Sequence, residues 1–375
     1  MRRAALVRTR KRAGFSQESL AAALHVDPSS VSNWERGRTE PVAFKRPKLA
    51  ALLGISDEGL EDLLNGPRSY QISTGDTADL SIDRLRCDLE HVQRDYDVVP
   101  STYLLATASR THERISALLG QASSARRRRE ALALQADSAI FMGQLVWDAS
   151  QRQDHRSPRV YFDQAVRAAR RTGDRVTEAY ATLRISYLAL YGDKVVARGL
   201  GDAQQAADIA RGASPAMRGL AVLHVAEANA MLGRRRDCDH ALGDARDQFA
   251  LIHDLDIAAE YLTPAELDRM AGSCYLFLGL HHQAEEALRS AATALQHKAK
   301  SQSIVLGNLA LAYVQQGDLD GAAQTLHRTI DVLQTSRGGG GLTLAFEAGR
   351  RLTTWRQETM VQELHERLFT LMAKP

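Results

Sequence analysis

Between Ser16 and Pro41 the sequence leaves the backbone little freedom, because it encodes two short helices separated by a tight turn. Ser16 is a suitable N-cap for the first helix, and Asp27 followed by Pro28 suits the start of the second. Gly37 fits the end of the second helix. Apolar residues at helical spacing give each helix one buried side: Leu20, Ala21, Leu24, Val31 and Trp34.

Two further helices are predicted after this pair. Pro41 predicts the start of a helix that continues through Leu53, since proline fits the first turn of a helix. The apolar spacing from Ser56 to Leu64 predicts another. This last helix is the fifth of the domain expected over residues 1–66, in which one helix precedes Ser16.

The same segment carries a recognisable set of residues in register. They are Ser16-Gln17, Leu20-Ala21, Val26, Val31, Trp34-Glu35, Gly37 and Pro41. This pattern resembles the Xre/lambda-repressor-like helix-turn-helix family, in which the second helix of the motif lies in the major groove of DNA. The resemblance implies two sets of contacts. Base edges would be contacted by Pro28, Ser29, Ser32 and Asn33, and backbone phosphates by Gln17, Arg36 and Arg38.

The chemistry of these side chains agrees with that division. An asparagine can pair with an adenine edge through two hydrogen bonds, so Asn33 should discriminate most between bases. The family more often has a long amide or basic side chain at the positions of Pro28 and Ser29. Because these two residues are short, DNA shape is expected to share the readout. For Arg10 two interpretations stay open, an ion pair with Glu35, as the resemblance implies, or a phosphate contact.

The distribution of charge agrees with a DNA-binding head. Residues 1–48 carry eleven Lys and Arg against four Asp and Glu, a surplus of +7, so the rest of the chain carries −4 of the total of +3. A basic head on a mildly acidic body is typical of a nucleic-acid-binding domain joined to a separate sensing domain.

Composition excludes several other classes of protein. Of the 375 residues, 44% are hydrophobic, and no stretch approaches the roughly 20 apolar residues of a membrane span. The basic start of the chain is not followed by an apolar run, so no secretory signal is predicted and the cytoplasm is the expected location. The three cysteines have no spacing for a zinc site or a disulfide framework, and we expect no metal and no cofactor: Cys87, Cys238 and Cys274.

Residues 67–129 are interpreted as a helical connector. Residues 67–79 are polar and aperiodic, which predicts a hinge. Apolar residues then repeat at spacings of three and four: Ile82, Leu85, Leu89, Val92 and Tyr96. Two heptads allow two interpretations, a dimerisation coil or packing onto the body. The arginine runs 126–129 and 234–236 point around the whole helix, which favours solvated helix starts over a DNA patch.

Residues 130–375 are predicted to be entirely helical, which makes the whole chain all-α. Two units resemble the tetratricopeptide repeat, with a small residue, an aromatic three later, a turn glycine and an alanine: Gly272, Tyr275, Gly279 and Ala284, then Ala310, Tyr313, Gly317 and Ala322. Weaker copies centre on Gly233 and Gly192, with a degenerate one from Gly143 to Ala169. We therefore expect an α-solenoid of about five TPR-like helix pairs. Capping helices would follow near 342–355 and 357–371, with the glycine-rich tract 337–341 as a flexible link.

In such solenoids the first helix of each pair lines a groove that carries the ligand. Threading the units on the repeat pattern directs seven side chains toward it: Gln144, Trp147, His224, Glu227, Arg269, Ser273 and Asn308. Polar groups on an apolar inner face can bind a peptide or a small polar molecule. Asn308 is of special interest, since an amide can pair with the N–H and C=O of a peptide together.

A DNA-reading head on a repeat solenoid resembles the peptide-sensing regulators of Gram-positive bacteria, the RRNPP type. That resemblance implies a homodimeric transcriptional regulator whose affinity for operator DNA depends on a peptide or small-molecule effector. The alternative is a DNA-tethered scaffold whose solenoid docks a protein partner. No HExxH, phosphate loop, GxSxG or Cys/His cluster is present, so no catalytic residues are assigned and an enzyme is not expected.

Overall fold

A computed structural model describes residues 3–13, 15–24, 26–39, 41, 45–53, 55, 60, 63, 64 and 76–373. Within these residues every regular element is a helix and no strand occurs, so the all-α prediction is confirmed. Contacts divide the chain into two compact units, Met1–Thr77 and Ala78–Pro375. The connector predicted over 67–129 falls largely within the second unit.

In the first unit, the two helices expected between Ser16 and Pro41 are capped by the residues predicted from the sequence. Ser16 Oγ accepts the N–H of Ser19 at 3.0 Å, and the Asp27 carboxylate accepts the N–H of Ser29 at 2.8 Å, so both N-caps are confirmed. Gly37 follows the last turn with φ of +67°, which a side chain would resist. Four described helices result: α1 (Ala4–Arg12), α2 (Gln17–Leu24), α3 (Pro28–Glu35) and α4 (Arg46–Leu53).

The last part of this unit departs from one predicted boundary. Helix α4 begins at Arg46 and not at Pro41, because Pro47 lacks an N–H and fits only the first turn of a helix. Residues 42–44 lie outside the described residues, as does most of the helix predicted over 56–64. Its described members are Leu60, Leu63 and Leu64, all helical. The core of the unit is formed by Leu6, Leu20, Ala21, Leu24, Val31, Trp34, Leu49, Ala50, Leu53, Leu60 and Leu64.

The second unit is a succession of packed helices. Their bounds are α5 (Asp76–Arg94), α6 (Ser101–Gln121), α7 (Ala125–Ala149), α8 (Arg156–Thr172), α9 (Arg175–Tyr187), α10 (Val196–Ala210), α11 (Pro215–Met231), α12 (Arg235–Ala250), α13 (Pro264–Phe277), α14 (His281–Ala294), α15 (Ala299–Gln316), α16 (Leu319–Ser336), α17 (Gly339–Leu352) and α18 (Thr359–Ala373). Helices α7 to α16 pack as five successive pairs, which confirms the predicted solenoid. Gly279 and Gly317 turn the chain within two of these pairs with φ of +72° and +76°.

The heptad stripe of the connector packs onto the body. Ile82, Leu85, Leu89 and Val92 are each at most 5% exposed. The last three belong to one core with residues of α6 and α7, among them Ile115. The structure therefore shows the second of the two interpretations of this stripe, packing onto the body of the same chain. The arginine runs 126–129 and 234–236 lie at exposed helix starts.

The glycine-rich tract is not the flexible link that the sequence suggested. Only Arg337 and Gly338 lie between helices, while Gly339, Gly340 and Gly341 form the buried first turn of α17. A Cβ at Gly340 would collide with the guanidinium of Arg152, which lies in the turn after α7. The absence of side chains thus lets α17 pack closely against its neighbours. No described helix is long and apolar enough to cross a membrane.

Candidate functional site

The first candidate site is the outer face of α3. Pro28 and Ser29 are exposed at its start, and Ser32 and Asn33 are partly exposed one turn later. Val31 and Trp34 occupy the opposite, buried side of the helix. The four residues expected to contact base edges therefore share one accessible face, and exposed Arg36 and Arg38 follow it at the helix end.

Beneath that face lies a buried ion pair. Arg10 Nε donates to Glu35 Oε1 at 2.7 Å, and Arg10 Nη1 donates to the Phe15 carbonyl at 2.7 Å. Both charged side chains are less than a tenth exposed. Gln17 Nε2 donates to the other oxygen of the Glu35 carboxylate at 2.5 Å. Arg10 is thus an internal partner of Glu35, and the Gln17 amide is held by the same carboxylate while it remains partly exposed.

The second candidate site is a cavity of about 860 Å³ in the second unit. Its walls come mainly from the first helix of each pair (α7, α9, α11, α13 and α15) and from α17. Helix α17 contacts α7, so the last helices meet the first pair. Lys300 of α15 also donates to Ser101 Oγ of α6 at 2.8 Å. The two ends of the solenoid therefore meet beside the cavity.

Six of the seven side chains predicted to face the groove line this cavity: Gln144, His224, Glu227, Arg269, Ser273 and Asn308. Trp147 does not line it. Its side chain is 1% exposed and packs in a core with Phe162 and Ile185. On α7 the stripe that faces the cavity passes through Gln144 and Asp148, four residues apart, and this turns the neighbouring Trp147 toward α8.

A buried polar cluster forms the wall contributed by α9, α11 and α13. His224 Nε2 lies 2.7 Å from the Tyr187 hydroxyl, and His224 Nδ1 lies 3.1 Å from the Tyr191 hydroxyl. Glu227 accepts hydrogen bonds from the hydroxyls of Tyr191 and of Ser273, the latter at 2.5 Å. The members of this cluster satisfy one another and fix the shape of the wall.

The charge states in the cluster follow from these contacts. Burial lowers the pKa of His224, and this outweighs the opposing effect of the Glu227 carboxylate, so the imidazole is neutral at pH 7. Burial acts against ionisation of Glu227 as well. Hydrogen bonds from His224, Ser273 and Tyr191 outweigh it and lower the pKa of Glu227, which is therefore a carboxylate.

A second polar cluster lies where the two ends of the solenoid meet. The Tyr96 hydroxyl donates to Asp148 Oδ2 at 2.5 Å, and Lys300 Nζ lies 3.7 Å from the centroid of the Tyr96 ring. Lys300 is only 4% exposed. Burial lowers its pKa to about 8, although the Asp148 and Asp97 carboxylates act in the opposite direction.

Because the pKa of Lys300 is lowered, the free energy of unfolding depends on pH in a predictable direction. The ordinary pKa of lysine is 10.5, so the folded protein holds this proton less tightly than the unfolded chain. The cost of the buried charge is present below about pH 8 and disappears as the pH rises toward 10.5. From pH 7 to pH 10 we expect the wild type to gain about 2–3 kcal/mol of unfolding free energy relative to Lys300→Met, measured by urea unfolding. Lys298→Met, at an exposed neighbour, should follow the wild type, and a constant difference for Lys300→Met would contradict the expectation.

Several residues of the cavity were not anticipated from the sequence. Tyr180, Arg184, Tyr187 and Tyr191 follow one another at spacings of four, three and four and face the cavity from α9 and the turn after it. They belong to the weak repeat copy centred on Gly192, where the repeat pattern gives little guidance. The regular spacing of polar aromatic residues around one arginine was the available signal.

Comparison with known proteins agrees with this organisation. The family described as "Helix-turn-helix" matches residues 6–43. Among solved structures, the chain is similar to a Rap protein complexed with competence and sporulation factor, with 13% identity, a TM-score of 0.50, and coverage of 96% of this chain and 99% of that one. It also matches a signal transduction ATPase (STAND) protein with a tetratricopeptide repeat sensor from Pyrococcus horikoshii, with 12% identity, a TM-score of 0.42, and coverage of 88% of this chain and 50% of that one. No curated protein sequence matches the chain significantly.

Proposed function

We propose that this chain, which joins an Xre-like helix-turn-helix domain to a TPR-like body with the fold of a Rap protein, is a bacterial transcriptional regulator controlled by a ligand. The observation that carries the proposal is the large cavity of the second unit in a chain whose helix-turn-helix domain also has an accessible α3 face. The cavity volume of about 860 Å³ is within the range of small-molecule and peptide sites. Such a regulator acts in the cytoplasm and needs no catalytic group of its own.

The ligand of this proposal is a peptide or a small polar molecule. The solved Rap protein is complexed with competence and sporulation factor, which supports a ligand in a body of this fold. Asn308 lines the cavity with an amide that can pair with a peptide backbone. A folded protein partner is less favoured, because the polar residues face inward into a cavity that is bounded by contacts of α15 and α17 with the first helices of the body.

Control of DNA binding requires two arrangements of the protein that differ in affinity for the ligand. In the proposed homodimer, two helix-turn-helix domains read two half-sites, and the ligand favours or disfavours the spacing that fits the operator. Gel-shift titration on fragments of the protein's own promoter region, with and without extract from its host, tests both the binding of DNA and its control by a ligand. A sequence-dependent shift that the extract alters supports the proposal. Absence of any sequence-dependent shift at physiological salt would refute it.

The two kinds of contact on the reading face should respond differently to mutation. Asn33→Ala is expected to cost about 1–3 kcal/mol and to relax the preference at one base position. Arg38→Ala should weaken binding to all sequences alike and reduce the slope of affinity against salt by about one, because it removes a phosphate contact. Fluorescence anisotropy on a set of single-base operator variants, at several salt concentrations, measures both. Equal losses on every operator for Asn33→Ala would contradict its role as a base reader.

A further inference from the structure

Arg184 differs from the other charged residues of the cavity. Its side chain extends from α9 into the cavity, with the guanidinium carbon 4.9 Å from the centroid of the Tyr187 ring and 5.9 Å from that of Phe162. Its Nε is enclosed and has no hydrogen-bond partner among residues 76–373. Within the same residues no carboxylate lies within ion-pair distance of it.

The remaining enclosed cations of the cavity already have partners. Arg269 pairs with Glu266 through two hydrogen bonds, and the Arg152 Nε lies 3.8 Å from Asp148. Lys300 donates to the neutral Ser101 hydroxyl and lies over the Tyr96 ring. Of the four arginines within residues 76–373 that line the cavity, Arg184 is therefore the one with no carboxylate within ion-pair distance.

A partly buried guanidinium with no counterion in contact is costly, since ions lose hydration on burial. A carboxylate would compensate it well, because the planar guanidinium fork matches the two carboxylate oxygens. A phosphate dianion would need a second guanidinium fork beside the first, and Arg152 and Arg269 already have carboxylate partners. The rings of Tyr187 and Phe162 beside the guanidinium favour an apolar or aromatic group next to the acid.

We propose that Arg184 anchors a carboxylate of the ligand, and that the ligand is a mono-acid with an apolar body. This inference rests on the proposed function, in which the cavity holds the effector. The free C terminus of a short peptide and a small carboxylic acid share this chemistry. The two sources differ in how much of the remaining cavity they fill.

The binding test compares acids with their neutral amides on the full-length protein without DNA. The probes are N-acetyl-L-phenylalanine and its amide, and mixed pentapeptides with free or amidated C termini, measured by calorimetry and saturation-transfer NMR. The wild type should bind the acids at least about tenfold more tightly, and Arg184→Gln should abolish that preference. Arg170→Gln, at an arginine that does not line the cavity and is already paired with Glu178, should keep it. Equal binding of acid and amide, no binding of either, or the same loss in both variants would overturn the inference.

Comparing the pentapeptide acids with N-acetyl-L-phenylalanine also identifies the source of the acid. Pentapeptide acids that bind at least about tenfold better than N-acetyl-L-phenylalanine would indicate a peptide C terminus, and the reverse would indicate a small acid. Because the assay contains no DNA, failure here leaves the regulator proposal standing. Conversely, acid binding that depends on Arg184 but never affects the gel shift would refute ligand control alone.

Discussion

Glu35→Ala is expected to unfold the first unit while the second unit stays folded. Glu35 is 4% exposed and holds the Arg10 guanidinium, itself 6% exposed, together with the Gln17 amide. Removing the carboxylate leaves a buried charge without a partner, at a cost of about 3–5 kcal/mol. A domain of this size has little stability to spare, so most of it should be unfolded at 37 °C. Calorimetry should show an early transition at lower temperature, and DNA binding should be lost.

Two control variants distinguish the effect of an unpaired buried charge from the effect of losing any carboxylate. The double variant Arg10→Met with Glu35→Met removes both charges, so it should recover much of the stability that Glu35→Ala loses. Glu18→Ala, at an exposed acid of α2, should leave the early transition unchanged. If Glu35→Ala melts like the wild type, the ion pair does not stabilise this unit as the geometry implies.

The helix ends of the first unit could be predicted because their causes are local. Asp27 and Pro28 specify the start of α3 through one hydrogen bond and one fixed dihedral angle, and neither depends on the rest of the chain. The heptad stripe of α5 was equally clear in the sequence. The sequence did not show which helices cover this stripe, since a partner helix and the helices of the same chain require the same pattern.

The failures in the second unit have a common physical reason. Gly339–Gly341 has the composition of a link, yet the tract forms the first turn of a helix. Glycine is needed in this turn because Arg152 and Ser303 leave no room for side chains. Trp147 fits the repeat pattern of an inner face but is turned into the core by the register of α7. Arg184 was missed because an unpaired charge is a property of its surroundings and is not visible in the local sequence. Packing over long sequence distances decided each case.

The second large effect is expected at Glu227, which organises the cavity wall. Glu227→Ala would leave the hydroxyls of Tyr191 and Ser273 without their shared acceptor in a buried position. Each buried donor left unsatisfied costs about 1–3 kcal/mol, so the main calorimetric transition should fall by several degrees and ligand binding should weaken with it. Glu286→Ala, at an exposed acid of α14, is the matched control and should melt like the wild type.

Glu227→Gln tests the charge of this residue apart from its shape. Because hydrogen bonds hold the pKa of Glu227 below its ordinary value of 4.5, its stabilising contribution is present above that value and is lost as the pH falls through the lower, folded pKa. The amide keeps one acceptor oxygen but cannot titrate. The wild type should therefore be more stable than Glu227→Gln at pH 7, and acidification toward pH 3 should narrow the gap, as measured by urea unfolding. A gap that widens in acid would mean that Glu227 is protonated in the folded protein and that its neighbours hold it as a neutral acid.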